Sequence, residues 1–108
     1  MPNFSQSDIN AFFCIVAQRV AASPKVAVAD PEFKSVSELR SEIASRNPDV
    51  LSLLDDFFDA YQGWHDVHVR IDAAGSAGSL SSETDRELQA AIATRDGTRD
   101  ALLAALAA

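Results

Sequence analysis

From Asn47 to Ala74 apolar side chains recur at spacings of three and four: Val50, Leu53, Leu54, Phe57, Ala60, Tyr61, Trp64, Val67, Ile71 and Ala74. This period matches the turn of an α-helix, so the stretch predicts one long amphipathic helix over about 48–74. Its start is well marked. Asn47 suits the N-cap, Pro48 the first helical position, and Asp49 the positive end of the helix dipole. At 1.5 Å per residue the rod spans roughly 40 Å, so other elements must pack along its length. On the helical wheel Asp55, Asp59 and Asp66 fall opposite the apolar stripe, His68 falls near its middle and His65 on its edge.

The same pattern marks three further helices. Ile9, Phe12, Phe13, Val16 and Val20 form a stripe, broadened by Cys14 and Ile15. It predicts a helix over about 7–22, capped by Ser5 or Ser7 and ended by Ser23-Pro24, because a residue before proline avoids helical dihedrals. Ser35-Val36-Ser37-Glu38 reads as a capping box opening a helix over 36–46, with Val36, Leu39 and Ile43 on one narrow face. Serines and acids at 81–85 open a last helix over about 82–107, whose apolar positions are Leu88, Ala91, Ile92, Leu102, Ala105 and Leu106. Between the first two helices, Lys25 to Asp30 alternates Val with Ala and reads as a linker, or as an edge strand that pairs only in a dimer. Asp30-Pro31-Glu32 can start a brief helical turn.

Gly75 to Ser79 is the clearest loop, and its shortness forces the last two helices into an antiparallel hairpin. Counting outward from it sets Trp64 against Ala91 and Ile92, and Phe57 against Gly97 and Thr98. Large rings then face small residues, as close packing favours. Gly97 is expected to admit an aromatic ring at close approach, in a helix that continues through it. Arg95 and Arg99 are expected to face the Asp-rich middle of the central helix. The fold expected is an all-α bundle of about four helices in a single domain, 1–108, dominated by this hairpin.

Charge narrows the partners. The chain carries 16 Asp and Glu against 9 Lys and Arg, a formal net charge of −7. Direct nucleic-acid binding is therefore not expected, since phosphate neutralisation by cations dominates such affinity. No apolar run reaches the ~18 residues of a membrane span, and no signal-peptide pattern is present, so a cytoplasmic protein without membrane contact is expected. Cys14 is the only cysteine, which excludes an internal disulfide and a cysteine zinc cluster; its apolar neighbours predict a buried, inert thiol.

Few residues suggest chemistry. His65, His68 and Asp72, with Glu87 or Glu83 from the last helix, could converge on a divalent metal within a bundle. The alternative is a structural His68 at the core edge, bonded to Glu87 or Asp72, with His65 half exposed. No cofactor is called for, and no nucleophile elbow or phosphate-cradling loop is present. Asp55, Asp56, Asp59 and Asp66 are the better candidates. Aspartate is a mediocre helix former and Asp55–Asp59 is a like-charge pair one turn apart, so an acidic stripe kept here suits a partner's Lys and Arg. The plainer reading is a solvated face neutralised by Arg70, Arg95 and Arg99. The expectation is a non-enzymatic protein that binds and occludes a partner with a basic surface, such as an inhibitor, immunity protein, antitoxin or phage-encoded inhibitor of host defence. The alternatives are a metal-binding bundle and an assembly chaperone. A homodimer is also expected, to complete the cover of the two long helices.

Overall fold

In the computed structural model, which describes residues 5–73 and 82–107, the chain is an all-α bundle. Its elements are α1 (Gln6–Ala22), a short 3-10 turn (Pro31–Phe33), α2 (Val36–Arg46), α3 (Pro48–Ala73) and α4 (Ser82–Ala107). The loop expected at 75–79, the cap at Ser81 and the expected end of the third helix at Ala74 lie outside the described residues.

Helix boundaries follow local chemistry. The Ser5 hydroxyl accepts from the Asp8 amide and the Asp8 carboxylate accepts from the Ser5 amide, both at 3.1 Å, so two orphan donors are satisfied at once. At α2 only half of the expected box forms: the Ser35 hydroxyl accepts from the Glu38 amide but donates to the Glu38 carboxylate. Asn47 ends α2 through its amide bond to the Ile43 carbonyl, and its side chain accepts from the Val50 amide to start α3. One residue thus serves two helices.

The core gathers Ala17, Val20 and Ala21 from α1, Leu39 and Ile43 from α2, Val50, Leu54, Phe57 and Phe58 from α3, and Leu102 from α4. Helix α3 is its spine, with α1 and α2 on one side and α4 along the other. Val26 and Val28 complete it, which corrects the reading of residues 25–30 as linker or edge strand. The segment folds back against the end of α1. The Val28 amide donates to the Ala21 carbonyl at 2.8 Å, and the Arg46 guanidinium donates to the Val26 and Ala27 carbonyls. Ala27 takes a positive φ of 56° to make the turn. That conformation costs about 1–2 kcal/mol in a residue with a Cβ, and burying two valines, at about 1.5–3 kcal/mol each, outweighs it.

The expected role of Gly97 is also corrected. Helix α4 does run through it, but a Cβ built there would meet nothing within 4 Å. Open space above a mid-helix glycine means only its entropic cost remains. Gly97→Ala is expected to raise stability by about 1 kcal/mol in urea denaturation; a loss would show an approach to Gly97 that this fold lacks.

Candidate protein-binding surface

Rings organise the seam beside the acidic edge of α3. Phe13 stacks on Phe58 with centroids 4.3 Å apart, and Phe12 stacks on Tyr61 at 4.8 Å. Trp64 meets Tyr61 edge-on at 5.3 Å, and the Arg95 guanidinium lies over the indole at 4.7 Å. The large residues of α3 therefore interleave with the Phe pair of α1, where small residues of α4 were expected. The Arg95 guanidinium covers the Trp64 ring, Phe57 shares a groove with Arg99 and Leu102, and a Cβ built at Gly97 meets nothing within 4 Å, so no ring approaches that position.

The arginines of α3 and α4 have partners of their own. Arg95 sits on Trp64 and pairs with Asp96; Arg99 pairs with Asp96 and Asp100 of its own helix; Arg70 pairs with Glu87. None of the three is ion-paired to an aspartate of the α3 stripe, where partial neutralisation was expected. The cation that reaches the stripe comes from α2 and had no signal in the α3 pattern. Arg40 holds Asp55 through two parallel bonds of 2.9 and 2.8 Å. This fork is the strong geometry for an arginine–carboxylate pair. The hydrogen bond and charge of Asp55, with a smaller contribution from Asp59, raise the Arg40 pKa against a small opposing effect of burial.

The four candidate aspartates thus divide. Asp55 is half-buried and committed to Arg40, while Asp56, Asp59 and Asp66 are exposed. Among the described residues no Lys or Arg lies within ion-pairing distance of those three. Asp66 accepts from Gln62, whose side chain also pairs with Gln6 of α1, and lies 3.7 Å from the His65 Nδ1. A surface notch of about 450 Å³ opens along this edge, with Phe13 and Phe58 at its base and Arg40, Asp55, Asp59 and Gln62 around it. Aromatic faces beside a carboxylate suit an incoming cation.

The two histidines exchange their expected places. His65 is buried, 6% exposed, and His68 is half exposed beside Trp64 and Asp72. The sequence held a signal for this: Leu54, Phe58, Tyr61 and His65 follow one another at spacings of four, three and four along the seam. The proposed metal ligands are not brought together. His68 Nδ1 lies 3.5 Å from Asp72, while Glu87 is taken by Arg70. Among the described residues no group of three or more His, Cys, Asp or Glu is placed to hold a metal ion. Cys14 is only partly buried, with the Gln18 amide 3.7 Å from its sulfur, because it lies off the inward face of α1. Ile15, expected to broaden the α1 stripe, is 51% exposed.

Comparison with protein-family models, with curated proteins and with solved structures gives no significant match. No helix among the described residues is long and apolar enough to cross a membrane.

Proposed function

We propose that this chain is a non-enzymatic binding protein that occludes a basic surface on a partner protein through the acidic edge of α3. The observation that supports it is the exposed set Asp56, Asp59 and Asp66, none of them ion-paired to a Lys or Arg among the described residues, while the arginines of α4 are engaged elsewhere. Asp55 has a different part: clasped by Arg40, it braces α2 against α3 and holds one wall of the notch. A partner's Lys or Arg enters the notch beside Asp59, over the Phe13–Phe58 stack. Asp66 and Asp56 act at longer range. Rim charges mainly speed the encounter, and the desolvated side chain in the notch supplies most of the affinity.

This reading places the protein among inhibitors of the immunity, antitoxin or host-defence-blocking kind, acting by cover and not by chemistry. The test is affinity capture from lysate of the source cells, comparing the native chain with Asp56→Asn/Asp59→Asn/Asp66→Asn. The native chain is expected to retain a basic protein that elutes with salt, and the triple variant to retain at least about tenfold less. Equal capture by both chains would rule out this face.

A further inference from the structure

A channel of a different chemistry lies between α1 and α4. The two helices flank α3 without packing closely on each other, and leave an apolar groove of about 250 Å³ floored by Phe57. Both run the same way along α3. On α1, Gln6 meets Gln62 and Phe13 meets Phe58; on α4, Glu87 meets Arg70 and Arg95 meets Trp64. The groove therefore has a direction, with Phe12 and Arg99 towards one end and Arg19 and Leu106 towards the other. From Phe12 to Val20 it runs about 12 Å, at 1.5 Å per residue. Its volume over that length gives a channel about 20 Å² in section, far narrower than a helix about 10–12 Å across and matched to one extended alkyl chain.

The two ends differ in charge. Arg99 pairs with Asp96 and Asp100, and Asp96 also takes Arg95, so the charges of α4 cancel at that end. Arg19 is exposed and makes no hydrogen bond or ion pair among the described residues. One uncompensated cation thus stands at one end of an apolar channel, on a chain whose formal net charge is −7. We propose that the groove binds a free single-chain anionic amphiphile, of the class of a medium-chain fatty carboxylate. Its carboxylate pairs with the Arg19 guanidinium in a charge-assisted hydrogen bond. Its alkyl chain lies over Phe57 between Val16 and Leu103, and covers the side chain of Leu103, which is 56% exposed. Apolar clefts between helices, with a polar group that sets orientation, are where bundles take small ligands.

Titration calorimetry of the purified chain with alkyl carboxylates below their micelle concentrations, with amide NMR to locate the site, tests this without any knowledge of the partner bound by α3. Octanoate is expected to bind at one site and to shift the amides of Val16, Arg19 and Leu106. Affinity should rise about fourfold for each CH₂ added between hexanoate and octanoate, and level off once the alkyl chain outgrows the groove, near decanoate. The protein's net negative charge favours octylammonium over octanoate; the groove should reverse that order by at least about tenfold. Arg19→Gln, at an exposed position, should weaken octanoate about tenfold and leave the binding of 1-octanol unchanged. No binding of octanoate at millimolar concentration, octylammonium bound as tightly, or native affinity in Arg19→Gln would overturn the assignment. Shifts confined to other faces of the molecule would overturn it as well.

Discussion

Phe57→Ala is expected to destabilise the chain by about 3–5 kcal/mol, lowering the midpoint of thermal unfolding by roughly 15–30 °C. Phe57 is 5% exposed on the inner face of α3, with its ring edge-on to Phe12 of α1 at 6.4 Å and to Tyr61 at 5.8 Å. Truncation removes the ring's burial and leaves a hole between α1 and α4 that neither helix can close, because the groove already keeps them apart. A domain of this length has about 5–15 kcal/mol of stability in total, so the variant should be partly unfolded near its working temperature. Circular dichroism at 222 nm against temperature and urea reads both quantities. A loss under about 1 kcal/mol would mean that the ring is not fixed between the helices. In a double-mutant cycle, Phe12 and Phe57 should couple by about 0.5–1.5 kcal/mol beyond the single losses.

Val28→Asp is the second large effect, expected at about 3 kcal/mol or more. A carboxylate at this 5% exposed position would sit among the apolar groups of α1 and α2 with its solvation stripped away. If residues 25–30 were a solvated linker, the same substitution would cost close to nothing. Urea unfolding therefore separates the two readings by several times the error of the measurement. Val26→Asp, at the other buried valine of the segment, should behave alike, whereas Ala29→Asp, at an exposed position, should change stability by less than about 0.5 kcal/mol.

What the sequence allowed to be read follows the range of the forces involved. Caps act within four residues, so Ser35 and the Asn47-Pro48 junction placed their helices from local chemistry alone. The acidic edge of α3 was also legible, because a charged row on a wheel needs only the helix itself. Three things were not. The wheel gave α3 one apolar face, whereas the fold gives it two, one towards α1 and α2 and one towards α4. The seam between them runs through Leu54, Phe58 and His65, which is why the buried histidine was exchanged for the exposed one. Arg95 lies over Trp64 and pairs with Asp96, not with the aspartates of α3, and no wheel carries that axial placement. The partner of Asp55 was out of reach for the same reason. Arg40 lies 15 residues away on another helix, and only the packing of α2 on α3 brings the two together.

The availability of Asp59 and Asp66 to a partner is tested most directly by titration calorimetry of the captured complex across ionic strength, for the native chain and for Asp59→Lys/Asp66→Lys. The native Kd is expected to rise steeply with salt, and the double variant to bind at least about tenfold more weakly with a clearly flatter salt dependence. Equal affinities and equal slopes in the two chains would contradict the account.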